Sequence, residues 1–170
     1  RSRPVYVISG AENATISENL GHGVSLFSSG SGMNYDVRVK NSVISFNGTN
    51  SASFFGLSAY DADSGGTATL TSRYDCVYGN GSTGTNGYQG GPTGYSWPGP
   101  GDIDANPLFT SRQGGDLHLM ASSPCIDAGD PDSAYGAEPK PNGGRINMGA
   151  WGNTVQAESR NPPGMVLIFQ

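Results

Sequence analysis

A short turn carrying asparagine returns along this chain, and its spacing constrains the fold more than any other feature. Ser17-Glu18-Asn19 recurs as Ser45-Phe46-Asn47, and Gly79-Asn80 stands at the equivalent point further on. The intervals are roughly thirty residues, the period of a repeat protein with loop insertions. Each turn sits between stretches in which β-branched and apolar residues alternate with small polar ones. That alternation is the mark of short strands with one face turned inward. Ile16, Val24, Leu26, Val37, Val39, Ile44, Leu57, Leu70 and Val77 form the predicted inward set. One repeat cannot bury such a face alone, so neighbours must stack. Asn19, Asn47 and Asn80 then fall where the chain turns sharply. Asparagine tolerates the left-handed conformation there, and stacked copies can form a hydrogen-bond ladder. The competing reading is glycosylation, since Asn13, Asn47 and Asn80 each open an Asn-x-Ser/Thr acceptor sequence.

Composition agrees with many short strands and tight turns. Glycine accounts for 27 of 170 residues, and charged residues for 14%, well under the usual quarter. No run places apolar residues at i, i+3, i+4 and i+7 for long enough to predict a helix. The net charge is −5 with nine scattered Lys and Arg. A nucleic-acid surface needs clustered cations, and so does an anionic membrane surface, so neither partner is expected. The longest apolar run, Met165–Phe169, is far too short to span a bilayer. Arg1 reads as a cut or processed end, with any targeting segment missing. Cys76 and Cys125 allow two readings: separate buried thiols, or a disulfide formed in an oxidising compartment.

The segment Gly101–Gly152 carries a recognisable grammar. It contains Asn106-Pro107-Leu108-Phe109, Leu117-His118-Leu119, Ser123-Pro124-Cys125-Ile126-Asp127-Ala128-Gly129, and a run from Gly144 to Gly152. It resembles the closing segment of the right-handed parallel β-helix proteins of bacterial and archaeal cell surfaces, which are pectate-lyase-like in architecture. The likeness covers roughly the last third of the chain closely and residues 1–100 loosely. At Asn147 that family often has Asp. The resemblance implies an all-β fold, a short right-handed parallel β-helix (solenoid) with a loop-rich C-terminal cap. Residues 1–100 would supply the rungs, with a Gly/Pro/aromatic loop at 82–100. Residues 101–157 would close them, and 158–170 would form a linker and terminal strand. The tail from Asn161 to Ile168 bears a short likeness to the entry of a sulfatase-modifying, formylglycine-generating-like domain, which implies a longer parent chain.

Several residues are candidates for chemistry. Asp127, Asp130 and Asp132 stand in a Gly/Pro loop and offer oxygens to a hard cation such as calcium. The alternative is that they cap turns, and no other cofactor is expected. Tyr88, Tyr95 and Trp97 in the 82–100 loop are candidates for carbohydrate contact, or else lids on the flank. Arg38, Lys40 and Arg73 are the cations on the predicted rungs, with Asp36 and Asp75 close to them in sequence. A polysaccharide lyase needs such a base and cation, whereas a solvated face needs no further explanation. His22 and His118 lack partners at metal-ligand spacing.

The expected function is that of a non-catalytic structural module, extracellular or on the cell surface. Its partner is itself, by head-to-tail or strand-addition contact into filaments, or a surface polysaccharide in adhesion. Val5, Val7, Met165, Val166, Leu167 and Ile168 are the predicted assembly residues, because an open strand edge and an apolar terminal strand can pair. The alternative is a carbohydrate-active β-helix, or its non-catalytic end, acting on acidic polysaccharide.

Overall fold

The computed structural model describes residues 5–28, 33–61, 67–85, 87–90 and 98–160. Every regular element among them is a strand. The first nine are β1 (Val5–Glu12), β2 (Thr15–Ser17), β3 (Val24–Ser28), β4 (Met33–Lys40), β5 (Val43–Ser45), β6 (Leu57–Asp61), β7 (Thr67–Arg73), β8 (Cys76–Tyr78) and β9 (Tyr88–Gly90). They form three parallel sheets, ordered β1-β4-β7, β2-β5-β8 and β3-β6-β9. The chain therefore passes three times through the same three sheets in the same order. This arrangement is compatible with a β-helix-like fold. Strands β10 (Phe109–Ser111) and β11 (Asp116–Leu119) make a separate antiparallel pair. The stretch 82–100, expected to be loop, supplies a strand of its own in β9.

Each pass bends on either side of the middle sheet, and the bends fall on left-handed residues. Asn13, Asn41 and Tyr74 precede β2, β5 and β8, with φ of 52°, 52° and 55°. Glu18, Phe46 and Gly79 follow them, with φ of 63°, 57° and 65°. Two sharp turns at fixed places let three short strands face three directions in one pass. Between the second and third strands of a pass, glycine is needed for close approach rather than for its dihedrals. A Cβ on Gly23 would lie 2.6 Å from the carbonyl oxygen of Gly56 and 2.6 Å from Ile44 Cγ2.

The asparagines form the expected ladder. Asn19 N–H donates to Asn47 Oδ1 at 3.1 Å, 28 residues on, and Asn47 N–H donates to Asn80 Oδ1 at 3.0 Å, 33 residues on. Asn47 Nδ2 also donates to Ile16 O at 2.9 Å, and Asn80 Nδ2 to Ile44 O at 2.9 Å. Asn47 and Asn80 are fully buried. Glycan attachment at either is therefore incompatible with the folded chain.

Two apolar cores lie back to back across the middle sheet. The inner one gathers Leu26, Val39, Ile44, Leu57, Ala59, Ala68, Leu70 and Val77, with Ile16, Val24 and Val37 at its margin. All of the predicted inward set is there. The outer one gathers Val43, Cys76, Phe109, Leu119, Cys125, Ile126 and Met148. Successive residues of a strand point to opposite faces, so β5 sends Ile44 inward and Val43 outward, and β8 sends Val77 inward and Cys76 outward. The closing segment was expected to cap the end of the stack. It does extend past the third pass, where Ile103 bridges to Cys76 in parallel. Its main body, however, lies along the outer face of β5 and β8. The physical reason is that Val43, Cys76 and Tyr78 make that face apolar, and a parallel sheet covered on both faces is the stable arrangement.

Candidate functional site

Of the three carboxylates expected to share a cation, Asp127 and Asp130 go to separate partners. Asp127 Oδ1 accepts the N–H of Gly143 at 2.9 Å, and its Oδ2 lies 3.6 Å from Arg160 Nε. Asp130 Oδ1 accepts the N–H of Asp132 at 3.0 Å, and its Oδ2 lies 3.1 Å from Lys40 Nζ. Asp132 is exposed. The N–H of Asp132, assisted by Lys40, holds the Asp130 carboxyl below its ordinary range. Among the described residues, no three His, Cys, Asp or Glu side chains gather about one point.

Grouped cations of the second pass are also paired. Arg38 Nη2 lies 2.8 Å from Asp36 Oδ2 on the solvent side. Lys40 Nζ lies 3.4 Å from Glu12 Oε1 as well as near Asp130. Burial lowers the Lys40 pKa, but the two carboxylates outweigh it and raise the value overall. A lyase base must be free to take a proton, so these ion pairs favour a structural role for both cations.

Chemistry is densest at the bend before β8. Ser42 N–H donates to Asp75 Oδ1 at 2.7 Å, and Asp75 N–H donates to Asp102 Oδ1 at 2.9 Å. Ala14 N–H reaches Ser42 Oγ at 3.1 Å, so side chains join backbone N–H groups across every pass. The Ser72 hydroxyl lies 2.9 Å from Asp75 Oδ2 and 2.6 Å from Asp102 Oδ2. Asp75 is fully buried. Burial raises its pKa, and nearby Asp102 adds to the rise; the Ser42, Ser72 and Arg73 hydrogen bonds oppose it, and the result is about 7.

The aromatic candidates part company. Tyr88 is in β9, half-buried against the inner core, and Tyr95 and Trp97 lie outside the described residues. Residues passed over by the sequence reading are the exposed ones. Phe27 and Tyr60 are directly opposite on β3 and β6, 58% and 51% exposed, with ring centroids 5.8 Å apart and planes 11° from parallel. Each follows an inward residue by one, Leu26 or Ala59, and that alternation was the available signal. His118 faces outward and stacks on Trp151 with centroids 4.1 Å apart, its Nδ1 2.7 Å from Asp116 Oδ1. Nearby, Phe46, Asn106, Leu108, Phe109, Arg112 and Met120 line a hollow of about 260 Å³, below the roughly 300–1,000 Å³ of a typical small-ligand site.

Two further buried polar residues hold the closing segment together. Asn147 Oδ1 accepts the N–H of Asp127 at 2.8 Å while its Nδ2 donates to Glu158 O at 2.6 Å. A carboxylate at that position could accept but not donate. Glu138 Oε1 accepts the N–H groups of Asn147 at 2.8 Å and Asn153 at 2.9 Å.

Of the predicted assembly residues, Val5 and Val7 lie in β1, which among the described residues pairs only with β4 and so stands at the edge of its sheet. Met165, Val166, Leu167 and Ile168 lie outside the described residues. Comparison of the chain with family models, with curated proteins and with solved structures found no match. The fold and the site together define an all-β protein of stacked parallel strands.

Proposed function

We propose that the chain is a right-handed parallel β-helix module with a non-catalytic, structural role outside the cell or on its surface. It associates through the edge that β1, β2 and β3 leave unpaired among the described residues, head to tail with further copies. The observation that carries this reading is the polarity of the asparagine ladder. Each N–H of one pass is received by the side-chain oxygen of the next, Asn19 by Asn47 and Asn47 by Asn80. Asn19, in the first pass, is exposed. By the same polarity, its side-chain oxygen would accept an N–H from one more pass. Among the described residues, strands β1, β2 and β3 each pair on one side only, and an unpaired edge is a template for strand addition. Beyond the third pass, by contrast, Ile103 N–H donates to Asp75 O at 2.8 Å and Val77 N–H to Ile103 O at 3.0 Å, which covers part of that edge.

Light scattering across a concentration series tests the proposal. The unaltered chain is expected to grow in mass with concentration. Asn19→Ala removes the acceptor but keeps the backbone N–H, and Leu20→Lys puts a charge at an exposed apolar site, 81% accessible, beside it. Both variants are expected to stay monomeric at concentrations where the unaltered chain associates. Equal association of all three would overturn the reading.

A second reading, contact with acidic polysaccharide, draws support from the exposed Phe27 and Tyr60 rings, because aromatic surface is a common means of holding sugars. Loss of polysaccharide binding in a Phe27→Ala/Tyr60→Ala variant, with association unchanged, would favour it.

A further inference from the structure

Cys76 and Cys125 are both free and both fully buried. They come from opposite sides of the outer core. Cys76 projects from β8, held by pairing with Val43 on one side and Ile103 on the other. Cys125 belongs to the closing segment and is pinned at both backbone groups. Its N–H donates to Ser123 Oγ at 3.1 Å, and its carbonyl accepts the N–H of Met148 at 2.9 Å. Both side chains pack into the same outer core, where the Cys76 thiol donates to Ala105 O at 3.1 Å and the Cys125 thiol is near enough to push the Cys76 thiol up. A pair of thiols meeting inside a rigid core, across the contact between two distant segments, is placed for covalent closure.

We propose that Cys76 and Cys125 form a disulfide that fastens the closing segment to the outer face of the middle sheet. The oxidant is a small-molecule or protein disulfide, such as oxidised glutathione. One cysteine thiolate attacks that disulfide, forms a mixed disulfide and expels one thiol. The second cysteine thiolate then attacks the protein sulfur, the Sγ–Sγ bond forms, and the second thiol leaves. Two protons and two electrons pass from the cysteines to the oxidant.

The order of events follows from burial. Within the folded core, the neighbouring Cys125 thiol, together with desolvation, pushes the Cys76 thiol well above its ordinary range. The reactive species is the thiolate, so oxidation must precede complete docking of the closing segment. The bond then persists because water and reductant do not reach it. It closes a long loop, where a cross-link restricts the unfolded chain most. The proposal rests on the packing of the outer core and is independent of the assembly reading.

The test is to reduce and unfold the chain, refold it in a glutathione redox buffer, and count thiols after denaturing it again. The expected result is no reactive thiol, an intact mass lower by two hydrogens, and a thermal midpoint that falls by about 10 °C on reduction. Two reactive thiols in the refolded protein would overturn the proposal. A Cys76→Ala/Cys125→Ala variant is expected to melt at a temperature that no longer responds to reductant. A response that persists in it would also overturn the proposal, and the thiol count on the unaltered chain stands even where the variant fails to fold.

Discussion

Asp75 and Asp102 meet at a single hydroxyl, that of Ser72, at 2.9 and 2.6 Å. A serine hydroxyl has one hydrogen to donate and can otherwise only accept. The hydroxyl serves one carboxylate; backbone N–H groups of Arg73 and Gly99 reach Asp75 Oδ2 and Asp102 Oδ2 at 3.1 and 2.8 Å, and a proton on one carboxyl fills the contact that the hydroxyl leaves. The rise of Asp75 to about 7 agrees with this. The folded pKa lies above the ordinary value of 3.8. The folded chain therefore binds more protons than the unfolded chain between those values, and its stability falls as pH rises through that window. The limit is about 1.4 kcal/mol per pH unit. Urea unfolding at several pH values between about 4 and about 7 measures the slope. Asp75→Asn, which stays neutral, is expected to flatten it, and an unchanged slope in that variant would contradict the assignment.

Removing a rung of the asparagine ladder should be costly in the middle and cheap at the end. Asn47→Ala strands the N–H of Asn19 and the carbonyl of Ile16 and takes one of two donors from Asn80 Oδ1, which keeps the backbone N–H of residue 47. Unsatisfied buried groups cost about 1–3 kcal/mol each, so a loss of about 3 kcal/mol is expected. Asn19→Ala touches an exposed side chain and is expected to stay within about 0.5 kcal/mol. Denaturant midpoints of the two variants compare them directly.

The middle sheet is buried on both faces, and adjacent residues of β5 test each side separately. Ile44→Ala opens the inner core and should cost about 3 kcal/mol; Val43→Ala opens the outer core and should cost about 2 kcal/mol. Both side chains are fully buried. A negligible effect of Val43→Ala in thermal or denaturant unfolding would mean that the closing segment does not pack as described.

Left-handed bends after the middle strands carry Glu18, Phe46 and Gly79 at matching positions. A non-glycine residue there is strained by about 1 kcal/mol. Glu18→Gly should relieve that strain while losing only a half-exposed ion pair to Arg112 at 3.2 Å, worth about 0–1 kcal/mol. The net expectation is unchanged or slightly raised stability. Glu18→Val should lower it by about 1–2 kcal/mol, since a β-branched residue fits that conformation poorly. Calorimetric midpoints give the sign in each case.

What the sequence made legible was the part written in local pattern. Alternation located Ile44, Leu57, Leu70 and Val77 in the core, and the recurrence of Asn19, Asn47 and Asn80 located the ladder. What it did not show depends on contacts between distant segments. Nothing near Val43 or Cys76 says that residues from 109 to 148 will cover them, because an outward apolar residue reads the same whether it is covered or bare. The left-handed bends at Phe46 and Tyr74 carry no local signal, since neither residue favours that conformation, whereas Asn41 and Gly79 do. Ser72 and Asp102 are 30 residues apart and meet only through stacking. Asp127 and Asp130 stood out as a group of carboxylates, yet their partners, Gly143 and Lys40, come from elsewhere in the fold.

Electron microscopy of the unaltered chain at rising concentration tests the central claim most directly. Addition at the first-pass edge predicts thin filaments whose axial repeat is set by three passes, each about 4.8 Å high, or about 15 Å plus whatever the closing segment adds. Isolated particles of one chain at every concentration would contradict it.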